Sequence, residues 1–194
     1  MDYNIIDDLI PPSYQNYIDS LINKKDFPWF FGQSINHNPD KLKYEDPNTT
    51  DAPGFGHLVW DPETGQPNSP IYPYILPVLF FLEHRTGIVV DQVKRIRIRR
   101  TIPVTGHTLE KYTPAHVDLS QSEEYKSLVY YVDDSDGDTV LFDTEYDNEK
   151  GNTVLFTDTQ KQIAVKFKGK VFHSGNCPVN YKQRTIINFD FTIK

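Results

Sequence analysis

From Ile88 to the end of the chain, short β-type runs follow one another with turns between them and no helical pattern. The runs are Val93 to Val104, Lys126 to Val132, Thr139 to Phe142, Thr153 to Phe156, Ile163 to Phe167, Lys170 to His173 and Arg184 to Ile193. Turn chemistry stands at Ser135-Asp136-Gly137-Asp138, Asn148-Glu149-Lys150-Gly151 and Lys168-Gly169. A stretch organised in this way folds as an antiparallel sandwich or barrel. Composition agrees. Twelve Tyr and 12 Phe raise the aromatic share to 13%, which favours packed β structure. Fourteen prolines against 10 glycines predict stiff turns and few long helices.

The first third reads differently. After Pro11-Pro12-Ser13, the residues Tyr14, Tyr17, Ile18, Leu21 and Ile22 form the stripe of an amphipathic helix entered through proline. A second helix is predicted from about Tyr74 to Arg85, ended by Gly87 where a left-handed cap is wanted. Between them, Gln33 to Asn68 reads as a long ordered loop with a brief strand at His57-Leu58-Val59-Trp60. Trp29, Trp60, Phe30, Phe31 and Phe55 are expected to pack this N-terminal layer, with an aromatic wall for a substrate as the second reading. The expectation is a mainly β protein with flanking N-terminal helices and one domain over 1–194. In it, 1–87 buttress a β core at 88–194, because neither helical stripe could bury itself alone.

Twenty basic residues against 27 acidic ones leave a net charge of −7. That balance argues against a general nucleic-acid or anionic-membrane binder. The single cysteine, Cys177, excludes an intrachain disulfide and a Cys-rich zinc site, and is expected to be a half-buried core thiol. Met1-Asp2-Tyr3-Asn4 lacks the basic and apolar regions of a signal peptide. The longest apolar run, Ile71 to Leu82, is too short to span a bilayer and contains Pro73 and Pro77. A cytoplasmic protein is expected.

Of the six histidines, His116 stands out because it is followed by Val117 and Asp118. In an extended strand, residues two apart share a face, so imidazole and carboxylate lie side by side. His173, at the end of another predicted strand, is the natural third ligand. Two histidines and one carboxylate with open positions form the facial triad of non-haem Fe(II) oxygenases; zinc would also accept them. Beyond His173 stands Arg184, whose face alternation shares with Ile186, Asn188 and Asp190. Its guanidinium offers a two-pronged fork for a carboxylate. In Lys94-Arg95-Ile96-Arg97-Ile98-Arg99-Arg100 the alternating arginines share a face. A solvated strand face is the first reading. An anion or substrate face of Arg97 and Arg99, with Asn188, is the second. Asp133 to Asp138 lacks the ligand spacing of a calcium loop and reads as a hairpin turn.

In motif order, the half from Thr101 to Ile193 resembles the 2-oxoglutarate- and Fe(II)-dependent dioxygenases, particularly the prolyl-4-hydroxylase-like branch. His116-x-Asp118 is followed by Ser127-Leu128-Val129-Tyr130-Tyr131-Val132-Asp133-Asp134, similar to the family's apolar-Tyr-Tyr-apolar-Asn/Asp strand. Asp136-Gly137-Asp138-Thr139 takes the place of a Gly-Gly-Glu-Thr-like turn, and Asn152 to Phe156 of the strand before the distal histidine. The resemblance implies a double-stranded β-helix, or jelly roll, with His116, Asp118 and His173 as iron ligands. It implies that Arg184 pairs with the far carboxylate of 2-oxoglutarate while Tyr131 and Ser127 hydrogen-bond it. The implied cofactors are Fe(II), 2-oxoglutarate and O2. The implied reaction couples decarboxylation to succinate and CO2 with hydroxylation of a protein, peptide (prolyl among them) or small-molecule substrate. A cupin-like metalloenzyme that uses no oxo acid, and a non-catalytic jelly-roll binding module, are the alternatives.

Overall fold

A computed structural model describes residues 3–34, 49–119, 124–142, 154–156, 164–168, 171 and 173–194. The N-terminal part supplies β1 (Tyr3–Ile6), α1 (Pro12–Ile22), β2 (Phe30–Gly32), β3 (Gly54–Asp61), β4 (Gln66–Pro67), α2 (Tyr72–Ile75) and α3 (Pro77–Thr86). The remainder supplies β5 (Val90–Thr101), β6 (Lys126–Tyr131), β7 (Thr139–Phe142), β8 (Val154–Phe156), β9 (Ala164–Lys168), β10 (His173–Gly175) and β11 (Arg184–Ile193). The strands make two antiparallel sheets. The major one runs β1-β9-β6-β11-β5-β3-β2, with β4 beside β3, and the minor one runs β10-β7-β8. They form an antiparallel sandwich of the kind the strand pattern predicts, the jelly roll that the resemblance implies.

The helices form where their stripes require it. Ile18, Leu21 and Ile22 of α1 are buried, and Pro12 sits in the first turn, where its missing N–H costs nothing. Pro77 opens α3 rather than interrupting it, so the predicted second helix is divided at Leu76 into α2 and α3. Gly87 caps α3 at φ 72°, and its N–H donates to the Glu83 carbonyl at 2.8 Å. The buried side chains of α1 and α3 pack on one face of the major sheet, against Ile96, Ile98, Leu128, Tyr130, Ile187, Phe189 and Phe191. Among the described residues, no helix is long and apolar enough to cross a membrane.

The opposite face of the major sheet looks at the minor sheet. Val129, Tyr131 and Ile186 meet Leu141 there. On this inner face β5 carries Arg95, Arg97 and Arg99, because Ile96 and Ile98 point into the helix layer. The solvated-face reading of these arginines is therefore corrected: β5 is a central strand, Arg95 is only 6% exposed, and Arg97 and Arg99 are half-buried.

Three further expectations change. β3 extends from Gly54 to Asp61 and pairs with β5, so the loop region contributes to the sheet itself. Trp29 and Trp60 pack against the helix layer, but Phe30 and Phe31 are 70% and 63% exposed. Ser135 to Asp138 is no hairpin: it carries the chain from β6 in the major sheet to β7 in the minor one. Asp136 fixes this crossover by accepting from the N–H groups of Val179 and Asn180. The turns expected at 148–151 and at Gly169, the part 35–48 of the loop region, and His37 lie outside the described residues.

Candidate metal centre

His116 and His173 are brought together by backbone pairing. Each N–H donates to the other's carbonyl, at 2.9 and 3.0 Å, in an isolated antiparallel bridge. Directly opposed residues of a ladder share a face. The two imidazoles thus project inward together, with ring centroids 4.6 Å apart. Around them, Tyr112, Ala115 and Val117 turn the other way to pack with Val140 and Phe142. The segment carrying His116 and Asp118 is anchored by this bridge rather than lying within a regular strand.

Asp118 completes the cluster. His173 Nε2 lies 3.0 Å from Asp118 Oδ2 and His116 Nε2 lies 3.7 Å from Oδ1. One ligand atom from each residue lies within 4.8 Å of the others. Both rings are oriented from behind: His116 Nδ1 is 3.2 Å from the Pro114 carbonyl and His173 Nδ1 is 3.0 Å from the Val171 carbonyl. A carbonyl only accepts, so each Nδ1 carries a proton and Nε2 is the ring atom left to ligate a metal; without one, His173 Nε2 donates to Asp118 Oδ2, a proton that metal binding would release. Two imidazole nitrogens and a carboxylate fit a divalent ion of the first transition row.

The sequence did not single out the group that holds Asp118. Arg95 contacts Asp118 Oδ1, donates from Nη1 to the Asp118 carbonyl at 2.9 Å, and reaches Asp190 Oδ2 through Nε at 2.9 Å. Asn188 Nδ2 donates to Asp118 Oδ2 at 2.8 Å, so it serves the carboxylate rather than an open anion face. Electrostatics follow from these contacts. Burial raises the Asp118 pKa, but Arg95 and then His173 more than offset it and hold the carboxyl well below its usual range. Burial, with the Asp118 charge next, pushes Asp190 up to about 6. Burial, then His173, pushes His116 down to about 3, which keeps it neutral. For His173 burial works against the charge, yet Asp118 raises its pKa above the ordinary value.

Arg184 lies at the other end of the same cavity, 5% exposed. Its Nε donates to the Gly137 carbonyl at 2.6 Å, and its Nη2 donates to Tyr131 Oη at 2.9 Å and Thr139 Oγ1 at 3.1 Å. A Cβ at Gly137 would stand 2.6 Å from Arg184 Cδ, so the turn needs glycine for the arginine to pass. Among the described residues, no carboxylate pairs with Arg184. Ser127 is not brought to it. Its hydroxyl donates to Asp190 Oδ1 at 2.7 Å, and Asp190, its partner in the ladder, lies six residues along β11 from Arg184, roughly 20 Å of strand. The implied carboxylate contact of Ser127 is thereby corrected.

His57, His107 and Cys177 are buried elsewhere in the fold. His57 lies between the Pro28 carbonyl and Ser69 Oγ, and His107 Nε2 accepts from the Cys177 N–H. Cys177 is fully rather than half buried, and burial pushes its thiol up to about 11. The cavity bounded by the His-Asp-His cluster, Arg99 and Arg184 encloses about 40 Å³. That is room for a few water molecules.

No protein-family model matches the chain, and no curated protein matches it in sequence. Solved structures do match it in fold. An oxidoreductase of the 2OG-Fe(II) oxygenase family from Burkholderia pseudomallei superposes with TM-score 0.69 at 13% identity, over 98% of this chain and 84% of that one. A prolyl hydroxylase from Trichoplax adhaerens, solved with a peptide fragment of the hypoxia inducible factor oxygen degradation domain, gives 0.59 at 15%, over 97% and 82%. A Pseudomonas putida prolyl-4-hydroxylase gives 0.56 at 12%, over 99% and 92%. With its triad at the open side of two facing sheets, the chain has the fold of the 2-oxoglutarate- and Fe(II)-dependent oxygenases.

Proposed function

We propose that this protein is an Fe(II)- and 2-oxoglutarate-dependent dioxygenase that hydroxylates a peptide or small-molecule substrate. The observation that carries the reading is Arg184, a buried cation with no carboxylate partner among the described residues, in the cavity that also holds His116, Asp118 and His173. A buried guanidinium without a counter-charge is costly, and an anionic ligand supplies what the protein leaves out. The triad asks for a metal and Arg184 asks for an anion. A 2-oxo dicarboxylate satisfies both at once.

In this reading His116, Asp118 and His173 hold the iron, which supplies the activation of dioxygen coupled to decarboxylation of the oxo acid. Arg95 and Asn188 fix the plane of the Asp118 carboxylate, and the Pro114 and Val171 carbonyls fix the two imidazoles. Arg184 binds the far carboxylate. Tyr131 and Thr139 keep its guanidinium in line, with Tyr131 also lying under the cation at 5.0 Å from the ring centroid. Val129 and Ile186, packed with Leu141, give the space between an apolar wall.

Anaerobic titration with Fe(II) and then 2-oxoglutarate tests the reading, through the weak visible charge-transfer band of the ternary complex. With Mn(II) in place of iron, isothermal titration of Arg184→Ala should show 2-oxoglutarate affinity lower by about 2–5 kcal/mol, roughly 30-fold to several thousand-fold. Tyr131→Phe should cost less, about 1.5–3 kcal/mol. His116→Ala or His173→Ala should lose stoichiometric metal while the fold persists. Unchanged oxo-acid affinity in Arg184→Ala would leave the metal site standing and put a cupin-like reaction without 2-oxoglutarate in its place.

A further inference from the structure

The inner face of the major sheet changes character beyond β5. Register places Gly54 opposite Thr101, Gly56 opposite Arg99 and Leu58 opposite Arg97, while on the far side of β3 Phe30 stands opposite Gly56 and Gly32 opposite Gly54. Opposed residues share a face, so this end of the sheet is floored by three glycines where side chains would otherwise cover the arginines. A Cβ on Gly56 would meet nothing within 4 Å. The result is a groove of about 300 Å³ with Phe30 on one wall and Arg97 and Arg99 on the other. Arg99 also lines the cavity of the metal cluster, so the groove and that cavity adjoin at this side chain.

The chemistry of the walls is asymmetric. Two guanidiniums stand two residues apart on one strand face and repel each other. Burial, followed by Arg97, pushes Arg99 down to about 9. Arg97 has no carboxylate partner among the described residues, and burial followed by Arg95 lowers its pKa as well. Opposite them, Phe30 presents its ring to the groove, 70% exposed. A ligand carrying one anionic group and one apolar group answers both walls, and the volume suits a small molecule.

We propose that this groove is the substrate site and that it takes a small organic acid, its carboxylate between Arg97 and Arg99 and its apolar part against Phe30. This deepens the dioxygenase reading, on which the link to a reacting bond rests. Held in this way, the acid places its carboxylate end beside Arg99, the residue that the groove shares with the cavity of the metal cluster. The apolar wall is made by an edge strand and the charged wall by the strand next to the site. The acid group therefore lies nearer the metal cluster than the ring does.

The probes are 3-phenylpropionate, its methyl ester and 3-phenylpropanol, titrated into the whole chain by ligand-observed NMR. Each is measured first without metal or oxo acid, then with Mn(II) and saturating 2-oxoglutarate to occupy Arg184. The acid should bind under both conditions while the ester and alcohol do not. Arg97→Gln and Phe30→Ser should each weaken it at least tenfold, Arg97→Lys less, with Mn(II) affinity unchanged in all three. Equal binding of acid and ester would overturn the proposal, as would loss of binding once 2-oxoglutarate fills Arg184. A phenylalanine-containing acidic peptide binding tenfold more tightly than the acid would overturn the small-molecule assignment. Groove binding is measured without iron or oxo acid, so its failure is distinct from failure of the ternary complex to form, which would strike the dioxygenase reading alone.

Discussion

Arg95 shows how much one side chain carries at the residue scale. It is buried between Asp118 and Asp190, and Ser127 and Asn188 complete the hydrogen bonding of those two carboxylates. Taken out of water, two neighbouring carboxylates are tolerated only because a guanidinium lies between them. Removing one partner of a buried ionic cluster leaves uncompensated charge, at a cost of about 3–5 kcal/mol. Arg95→Leu should lower the free energy of urea-induced unfolding by that amount, and Arg95→Lys by less, since it keeps the charge but loses the fork. A change below about 1 kcal/mol for Arg95→Leu would mean that water reaches the carboxylates. In the sequence this arginine was visible only as one of an alternating set. Alternation gives the shared face and does not say whether that face meets solvent.

At the scale of elements, α3 shows what the helices contribute. Val78, Leu79 and Leu82 are buried against the outer face of the major sheet, whereas Phe80 on the same helix is 57% exposed. Truncating a fully buried leucine removes its transfer energy and leaves a cavity, about 2–5 kcal/mol in all. Leu82→Ala should therefore shift the urea midpoint strongly, and Phe80→Ala should stay within about 0.5 kcal/mol of the parent protein. Equal effects would mean that α3 is not docked as described. The helix was legible because Gly87 ends it with a left-handed residue. Its division at Leu76 was not, since Pro77 is acceptable at a helix start and forbidden inside one. Which of these applies depends on where the preceding turn stops.

On the scale of the whole molecule, the N-terminal third is woven into the sheet. β3 pairs with β5 along Gly54 to Trp60, β1 pairs with β9, and α1 and α3 cover the sheet's outer face. We propose that residues 1–194 act as one unit for this reason. A chain beginning at Ile88 would expose Ile96, Ile98, Leu128, Tyr130 and Phe189 to water and leave β5 as an open edge. It should aggregate or lose cooperative melting by circular dichroism. A soluble, cooperatively folding product would make the first 87 residues an appendage.

Sequence by itself determined the strand-rich second half, the helix stripe at Tyr14 to Ile22 and the pattern His116-x-Asp118, because periodicity and turn chemistry are local properties. β7 and β11 begin and end where their residues predict. Long-range pairing decided the rest. The bridge between His116 and His173 joins residues far apart in the chain, and it brings the imidazoles together without a regular strand at either side of His116. Ser127 shares the face of Tyr131, yet the register with β11 sets it against Asp190 and away from Arg184. The crossover at Ser135 to Asp138 looked like a hairpin because its turn chemistry is the same, while the sheet each flanking strand joins is fixed by partners elsewhere. The inward aim of Arg95, Arg97 and Arg99 follows from Ile96 and Ile98 packing into the helix layer, which turns the alternate residues to the other face. An alternating pattern is symmetric between its two faces, and only the packed structure breaks that symmetry.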